Sequence, residues 1–384
     1  MIRKMMLCAA SIAATFGLLS CGQADVPPAE GSKTGFALSF FKEVNRLSKT
    51  EDNVIASPYS AGAALSMLVE GAQGQTKVEL DNALNGCLFT SQNLQSGDSV
   101  VVKSANSVWI DSDFSVRNHY VSTLQKNYDA LVETLRFSDP ATVQAINNWC
   151  SENTEGKIGK IVDKLTPGDV MVLLNALYFN APWENEFDPA LTAKADFRGV
   201  SGTSDVQMMY RKGFYNYAEY QGCQMIELPY LQSSYSMFVI LPPEGMNIDD
   251  FLPYLNDKVY AEAMTMFAPV EVKFRMPKLK LETEMLLNDA LMGMGVRTAF
   301  TGAADFKGIS EMGPLVLSQV KQKCYIDIAE SGTEAAAVTS VMVRLTSVRP
   351  QMDVKTMTVD RPYVFFIADK DTDNIFFAGK IVNL

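Results

Sequence analysis

One histidine, His119, limits the chemistry that this chain can do. A single imidazole excludes every site that requires two, and it leaves at most one Ser-His or Cys-His arrangement. His119 lies in the polar segment SVRNHY, where a surface or helix-start histidine is commoner than a catalytic base. A serine hydrolase that uses His119 is therefore the hypothesis that ranks last.

The short motifs of common catalytic sites are missing from the sequence. It contains no G-x-S-x-G, no G-x-x-x-x-G-K-[ST], no H-E-x-x-H and no EF-hand loop. Its paired carboxylates, Asp249 with Asp250 and Asp369 with Asp371, lie in turn-rich segments, where acidic residues cap helices and shape loops. The sequence therefore predicts no enzyme, no cofactor and no metal site.

The most unusual pattern of residue types runs from Gly332 to Pro362, between two strand-like segments. Read with a period of two, its start has one face of small residues, namely Thr333, Ala335, Ala337 and Thr339. The other face consists of Glu334, Ala336, Val338 and Ser340. A strip whose core-facing side has no bulk and no charge could slide between two strands of a sheet. An exposed loop with an alanine-rich start is the equal alternative.

The elements that must position this segment are helices in the first third of the chain and strands after it. Apolar spacing and start signals predict helices over residues 34–48, from Ser60 to Ala72, and after Asp139. Short apolar or alternating runs predict four strands: Met171 to Phe179, Tyr235 to Leu241, Val270 to Met276 and Tyr363 to Ala368. Without a regular βαβ alternation, this order favours an α+β fold.

The composition is that of a globular protein. Of 384 residues, 47% are hydrophobic and 20% charged, which excludes disorder, collagen and coiled coil. The formal net charge of -11 makes nucleic acid a poor candidate partner. No linker interrupts residues 33–384, so we expect one large domain.

The first 20 residues have the pattern of a secretory signal peptide, with Arg3 and Lys4 before an apolar stretch. The following LLSC, ending at Cys21, resembles the bacterial lipobox, whose cysteine is acylated and becomes the new N-terminus. Residues 21–32 then form a flexible tether. This pattern predicts a lipid-anchored protein of the bacterial cell envelope, at the outer membrane, on its periplasmic or surface face. A plain cleavable signal is the alternative.

Four cysteines remain in the body of the chain: Cys87, Cys150, Cys223 and Cys324. An oxidising compartment would permit disulfides, but their wide spacings define no disulfide framework. We therefore expect buried thiols.

Several segments, in order, resemble the serpin family and together cover roughly residues 33–384. ESGTEAAAVT, from Glu330 to Thr339, resembles the hinge of inhibitory serpins, where the reactive-centre loop begins. NALYFNAPW, residues 175–183, resembles the signature of the breach, the top of the sheet that opens. The segments ELPY, MPKLKLE, ADFKGIS and the C-terminal DRPYVFFIADKDTDNIFFAGKIVNL also occur in family order.

The resemblance implies a serpin fold, with three β-sheets, about eight or nine helices and an exposed reactive-centre loop at about residues 332–361. It assigns the hinge to Glu330, Gly332, Thr333, Glu334, Ala335, Ala336, Ala337, Val338 and Thr339. It assigns the breach to Trp183 and the shutter, beneath the middle of the opening sheet, to Ser57, Ser60, Asn175 and Gln322.

Gln322 departs from the family pattern, because many members have a histidine at this position. Glutamine both donates and accepts hydrogen bonds. We therefore expect a shutter network of Ser57, Ser60, Asn175 and Gln322 that has no protonation switch near neutral pH.

The activity that the resemblance implies is suicide-substrate inhibition of serine proteases, and of papain-like cysteine proteases as a further class. A target protease would attack the loop and be trapped as its acyl-enzyme when the cleaved loop inserts into the central sheet. The expected partners are the target protease and, through the lipid, a membrane, and the protein is expected to be a monomer. A non-inhibitory serpin-fold binding protein on the envelope is the alternative.

The bond that serves as bait follows from counting along the loop. Sixteen positions after Glu330 lies Thr346, which predicts Thr346–Ser347 as the reactive bond. Counting back from Pro362 gives a site several residues later, because this loop is longer than a common family length. The alternatives are Arg344, Leu345, Arg349 and Lys355. Arginine would suit trypsin-like proteases, and the Leu345 and Thr346 bonds elastase-like or subtilisin-like ones.

Overall fold

The computed structural model describes residues 31–91, 100–166, 168–313, 315–334 and 354–384. The signal peptide, Cys21 and nearly all of the tether lie outside these ranges. So do the hinge residues from Ala335 to Thr339 and the candidate bait residues Arg344, Leu345, Thr346, Ser347 and Arg349.

Eight α-helices occur in the described residues: α1 (Lys33–Leu47), α2 (Pro58–Val69), α3 (Gly74–Ala83), α4 (Asn118–Tyr128), α5 (Pro140–Asn153), α6 (Ile248–Phe251), α7 (Asp257–Met264) and α8 (Asn288–Gly293). Side chains preceding five of them cap free backbone N–H groups. Ser32 caps α1, Ser57 caps α2, Asp139 caps α5, Asn247 caps α6 and Asn256 caps α7. The three predicted helices are confirmed, although α2 begins and ends earlier than its pattern suggests.

The strands are β1 (Val54–Ala56), β2 (Val101–Asp111), β3 (Ala130–Leu135), β4 (Met171–Pro182), β5 (Ala193–Gly199), β6 (Gly202–Tyr220), β7 (Cys223–Pro229), β8 (Tyr235–Leu241), β9 (Ala268–Pro277), β10 (Leu279–Leu286), β11 (Gln319–Ala329), β12 (Gly332–Thr333), β13 (Lys355–Thr358), β14 (Tyr363–Asp369) and β15 (Asn374–Ile381). All four predicted strands are present within these bounds, and the α+β class is confirmed.

The strands form two hydrogen-bonded sheets. A six-stranded sheet has the order β10-β11-β12-β4-β2-β3. A nine-stranded sheet has the order β1-β15-β14-β8-β7-β6-β9-β13, with β5 paired to β6. The 19-residue β6 pairs in turn with β5, β9 and β7. Strand β6 thereby joins the strands of the nine-stranded sheet into one continuous sheet, so the described residues form two sheets where the family resemblance predicted three.

Helix α2 lies between the two sheets and is buried at all of its 12 positions. It contacts β15 of the larger sheet and β4 of the smaller one. The approach is close at Gly62, where a Cβ atom would lie 2.6 Å from the ring of Phe89. On the opposite face of the smaller sheet, α5 packs Ile146 and Cys150 against Trp109. The sheet that holds the hinge is therefore covered on both faces.

His119 and the four cysteines of the body lie in the environments that their local sequence predicts. His119 is exposed in the first turn of α4, and the hydroxyl of Ser122 donates to its backbone carbonyl oxygen at 3.0 Å. The four cysteines are buried free thiols, which confirms that prediction. Burial raises the pKa of Cys150 to about 12, against the smaller opposing effect of Lys323.

Across the described ranges, no cluster of side chains could hold a metal ion. No described helix is long and apolar enough to cross a membrane.

Candidate functional site

The start of the segment Gly332 to Pro362 lies inside the six-stranded sheet. Strand β11 ends at Ala329, the chain turns, and β12 returns antiparallel between β11 and β4. Gly332 pairs with Pro182, and Thr333 with Ala181. Farther along, β11 and β4 pair directly and in parallel, from Gln319 to Cys324 of β11. At one end of the sheet, β11 and β4 are thus separated by the two residues of β12, and beyond β12 they pair directly.

Thr333 is the last residue of β12 and is 1% exposed. Its hydroxyl shares a hydrogen bond of 2.7 Å with the hydroxyl of Tyr230. The ring of Tyr230 stacks on the indole of Trp183, with centroids 4.6 Å apart and planes at 15°. The indole Nε1–H of Trp183 donates to the carbonyl oxygen of Ala329 at 2.9 Å. The breach aromatics therefore hold both the end of β11 and the first inserted residues.

Glu330 fixes the turn between β11 and β12. Its carboxylate accepts hydrogen bonds from Lys278 Nζ at 2.7 Å and from the Thr192 hydroxyl at 2.8 Å. Its carbonyl oxygen accepts from the backbone N–H of Phe187 at 2.9 Å. Burial raises the pKa of the Glu330 carboxyl, but the hydrogen bonds from Lys278, the backbone and Thr192 outweigh that effect and leave a lowered pKa. A charged, three-way anchored Glu330 keeps the hinge aligned with the sheet.

Glu334 is where the inserted strand stops. Its φ of +56° is left-handed and carries the chain out of the extended conformation of β12. Its N–H donates to the carbonyl oxygen of Asp327 at 2.6 Å, and its carboxylate pairs with Lys157. The hydrogen bond that Lys157 donates to the Glu334 carboxylate is the main reason that the pKa of Lys157 is raised. Further insertion must turn Glu334 back to an extended conformation and break this ion pair.

The shutter residue Gln322 is 1% exposed and hydrogen-bonded to the backbone of Ser57 in both directions. Its Oε1 accepts from the N–H of Ser57 at 2.8 Å, and its Nε2 donates to the Ser57 carbonyl oxygen at 2.8 Å. The Ser57 hydroxyl meanwhile accepts from the N–H of Ser60 at 3.2 Å. Gln322 therefore ties β11 to the start of α2.

The network expected for Ser57, Ser60, Asn175 and Gln322 forms for Ser57, Ser60 and Gln322, and the expectation is wrong for Asn175. Asn175 faces Gln322 in the strand register, but its Nδ2 donates to Oδ1 of Asn106 on β2. The carboxamide of Gln322 bonds instead to the backbone of Ser57, and its Oε1 also accepts from the Cys324 thiol at 3.6 Å. The Ser60 hydroxyl and Asn175 Oδ1 are buried without a partner in the described structure. The shutter is thus two separate contacts, one from β11 to α2 and one from β4 to β2.

The shutter gives a prediction about pH. Gln322→His places an imidazole at a position that is 1% exposed, where burial disfavours its cation and lowers its pKa below the ordinary value of about 6.5. A histidine whose pKa is lower in the folded than in the unfolded protein has no destabilising effect of protonation above the unfolded-state pKa. Below that pKa, the folded protein loses stability as the pH falls. Between pH 7.5 and 5.5 we expect the variant to lose about 1 kcal/mol of unfolding free energy more than the wild type. Denaturant unfolding at several pH values measures this difference.

The matched control for this prediction is Gln144→His, which places the same imidazole at an exposed position of α5. We expect its pH dependence to follow that of the wild type. Equal pH dependence of the Gln322 and Gln144 variants would contradict the expectation that the shutter is closed to water.

Lys355, the last alternative bait residue, lies at the start of β13. It pairs in register with Val272 of β9, and its Nζ lies 3.1 Å from a carboxylate oxygen of Glu219. A protease binds its substrate as an extended strand, so the Lys355 bond would first have to leave this sheet. The structure therefore fixes both ends of the segment that is predicted to contain the reactive bond, at Glu334 beside the six-stranded sheet and at Lys355 in the nine-stranded one.

Sequence reasoning missed two residues of this site. Tyr230 stands out in the sequence only as part of ELPY, because its contact with Thr333 spans 103 positions of the chain. Asn106, the partner of Asn175, lies in an ordinary strand pattern with no local signal. The predicted residues Trp183, Glu330 and Thr333 do lie together at one end of the six-stranded sheet.

Comparison with known proteins adds to this geometry. The family model described as "Serpin (serine protease inhibitor)" matches residues 31–384. An uncharacterized serpin-like protein of Methanosarcina acetivorans is 34% identical over 369 residues, covering 91% of this chain and 86% of that protein. The leukocyte elastase inhibitor of Sus scrofa is 31% identical over 377 residues, covering 91% and 98%. The native structure of the thermophilic serpin tengpin matches with a TM-score of 0.84 at 30% identity, covering 92% and 93%.

Proposed function

We propose that this chain, which belongs to the serpin family, inhibits serine proteases as a suicide substrate. Members of this family are generally protease inhibitors and not enzymes. The observation that supports the proposal is β12, which already occupies the space between β11 and β4 that a cleaved loop would fill. Small residues follow it along the sequence from Ala335 to Ala337, and neither bulk nor charge there blocks further insertion.

The trapping step is a competition between insertion of the cleaved loop and hydrolysis of the acyl-enzyme. The serine oxygen of the protease attacks the scissile carbonyl carbon, the C–N bond breaks, and the freed amine leaves as the new N-terminus of the C-terminal fragment. The N-terminal part of the loop is now an ester of the protease, tethered to β12. Insertion along β4 and β11 moves the protease away before water can hydrolyse the ester.

The free energy for insertion comes from the sheet. Each inserted residue can hydrogen-bond to β11 or β4, and each such bond contributes about 0.5–1.5 kcal/mol. The cost is the direct pairing of these strands from Gln319 to Cys324, which must open first. That ladder, the shutter contact of Gln322 and the ion pair of Glu334 form the barrier. The uncleaved protein is thus stable in the kinetic sense.

The assignment of the reactive bond rests on the number of loop residues that insert into the sheet. Counted from Glu330, Thr346–Ser347 is the proposed reactive bond, with Arg344–Leu345 and Leu345–Thr346 as neighbouring alternatives. Trypsin-like enzymes fit the arginine, and elastase-like or subtilisin-like enzymes fit the leucine and threonine. A papain-like protease would form the equivalent thioester.

Inhibition kinetics test the proposed function. The mature domain is mixed with trypsin, a neutrophil-type elastase and subtilisin at increasing molar ratios, and residual protease activity is followed with time. We expect irreversible loss of activity, with a stoichiometry near one inhibitor for at least one protease. Full recovery of activity with every protease would contradict the proposal.

We extend the proposal to the N-terminus, where acylation of Cys21 would anchor the protein to the bacterial envelope. Cys21→Ser should move the protein from the membrane fraction to the soluble fraction and abolish labelling by a radioactive fatty acid, because the thiol that carries the lipid is gone. Cys8→Ser, which removes the other N-terminal cysteine, is the matched control. An unchanged membrane fraction for Cys21→Ser would contradict this part.

A further inference from the structure

An apolar groove of about 200 Å³ lies between the helices α6 and α7 and the strands β6, β7 and β8 of the larger sheet. Its floor consists of the buried side chains of Met225, Phe238 and Ile240. An apolar cavity of about 150 Å³ already admits a benzene ring. The groove is therefore large enough for two fused rings or for part of an acyl chain.

The walls of this groove keep part of their apolar surface in contact with water. The half-buried wall residues include Val259, Tyr260, Met264 and Phe267, whereas Met246 and Tyr254 at the rim are 43% and 65% exposed. Exposed apolar side chains that surround one concave surface are typical of a binding site. Methionine side chains also adapt their shape to irregular apolar ligands.

The charge of the groove selects a neutral occupant. Among the described residues, no charged side chain lines it. The hydroxyl of Tyr220 donates to Glu262 Oε2 at 2.7 Å and accepts from Gln221 Nε2 at 3.1 Å, so these rim groups pair with one another. Burial raises the pKa of the Cys223 thiol, which therefore stays neutral. A carboxylate in the groove would meet no cation and would lie near Glu262.

The first described residues of the chain lie beside this groove. A second cleft, of about 600 Å³, is lined by Gly31 and Ser32 before α1, and it shares Tyr260 and Met264 of α7 with the groove. Cys21 precedes Gly31 by ten residues, which span at most about 35 Å when extended. Because a helix is about 10 Å across, this length is enough to pass over α7. A group on Cys21 is therefore tethered within reach of the groove.

We propose that the groove binds an acyl chain, and that this chain belongs to the lipid on Cys21 of the same molecule. The inference rests on the acylation proposed above. An acyl chain linked through an ester or an amide brings no charge, which matches the uncharged walls. A short flexible tether also gives the chain an effective concentration of about 1 mM at the groove.

Two other apolar occupants fit the groove less well. A free fatty acid brings a carboxylate, for which the lining offers no cation. A bilayer with anionic lipids would be repelled by a chain whose formal net charge is -11. The tethered chain has neither disadvantage.

Occupancy of the groove would weaken the membrane anchor. Membrane affinity grows with each acyl chain that enters the bilayer, and a single chain holds a protein only reversibly. A chain held between α7 and the sheet is withdrawn from the bilayer. The groove and the bilayer thus compete for the same chain, and the groove makes it easier for the protein to leave the membrane.

Fluorescence titration with N-phenyl-1-naphthylamine, a neutral apolar probe, tests the groove. In the mature chain carrying Cys21→Ser we expect saturable binding, and displacement of the probe by 1-dodecanol at least about tenfold better than by dodecanoate. Val259→Glu, which charges the wall, should lower the affinity for the probe at least about tenfold. Met246→Glu at the rim should act in the same direction.

The matched control is Val78→Glu, which places the same charge on α3 at a position that is 50% exposed. We expect its affinity for the probe to stay within about twofold of the parent. Absence of saturable binding, or an equal loss of affinity in the Val259 and Val78 variants, would overturn the groove as a site. Native-like circular dichroism of each variant excludes misfolding as the cause of lost binding.

Attachment of a dodecyl chain to Cys21 tests the occupant. The mature wild-type chain is modified with N-dodecylmaleimide, which the four buried thiols of the body do not meet. We expect the affinity for the probe to fall at least about tenfold, independently of protein concentration, because the attached chain fills the groove of its own molecule. Equal affinity before and after modification would overturn Cys21 as the source of the chain.

Vesicles of neutral phosphatidylcholine distinguish the bilayer from the tethered chain. We expect the Cys21→Ser protein, which carries no chain, to remain unbound. Vesicle binding that Val259→Glu abolishes would overturn the proposal in favour of a bilayer. None of these measurements needs acylation in the cell, which fatty-acid labelling reports separately. Failure of the groove and failure of the proposed acylation are therefore distinguishable.

Discussion

Thr333→Arg is expected to convert the protein from an inhibitor into a substrate, with the yield of covalent complex reduced about 100-fold or more. Thr333 is the innermost residue of β12 and is 1% exposed between β4 and β11. An arginine at this position would have to enter the sheet before any later loop residue, and burying its unpaired charge costs several kcal/mol. Each 1.36 kcal/mol added to the insertion barrier slows insertion tenfold, so deacylation wins.

Denaturing gels at fixed protease concentration measure this change as the ratio of covalent band to cleaved inhibitor. Thr333→Ser keeps a hydroxyl for Tyr230 and should retain most of the complex. Thr203→Arg introduces the same side chain at an exposed position of β6 and controls for the added charge. An undiminished covalent band in Thr333→Arg would show that insertion does not proceed through β12.

Cleavage of the loop is expected to raise the melting temperature by about 20 °C or more. Insertion of roughly ten residues would add on the order of 10–20 kcal/mol through hydrogen bonds to β4 and β11 and burial of side chains. For a chain of this size each kcal/mol corresponds to about 2 °C. Thermal unfolding before and after limited cleavage within residues 335–353 measures the shift.

Thr333→Arg cleaved in the same way is the matched comparison, because burial of its arginine opposes insertion by several kcal/mol. We expect its melting temperature to rise several degrees less than that of the cleaved wild type. A change of no more than a few degrees in the cleaved wild type would favour the non-inhibitory binding protein, since in that case the loop stays outside the sheet. The comparison thus relates the rise in melting temperature to insertion rather than to chain cleavage alone.

The local elements of this fold could be predicted from the sequence where short-range patterns determine them. The helix of residues 34–48 has its apolar spacing and its Ser32 cap within one stretch of chain. The alternation at the hinge placed Thr333 and Glu334 on opposite faces. In the structure Thr333 is buried in the sheet while Glu334 leaves it toward Lys157.

What the sequence could not supply is the depth of insertion and the pairing of polar side chains. Insertion stops at Glu334 because of its left-handed backbone and its bond to Asp327, neither of which a pattern of small residues indicates. The shutter divides in two because Gln322 bonds to the backbone of Ser57 whereas Asn175 bonds to Asn106. Such hydrogen-bond pairings depend on which strands and helices pack together, and these elements lie up to hundreds of residues apart in the chain.

The most direct test of the central claim is to identify the products of the reaction with a protease. The mature protein is incubated with trypsin and with neutrophil-type elastase, and denaturing gels are combined with mass spectrometry of the released C-terminal peptide. We expect a covalent inhibitor–protease band together with a peptide that spans Ser347 to Leu384. Clean cleavage without a covalent band, across a wider panel of proteases as well, would contradict suicide inhibition.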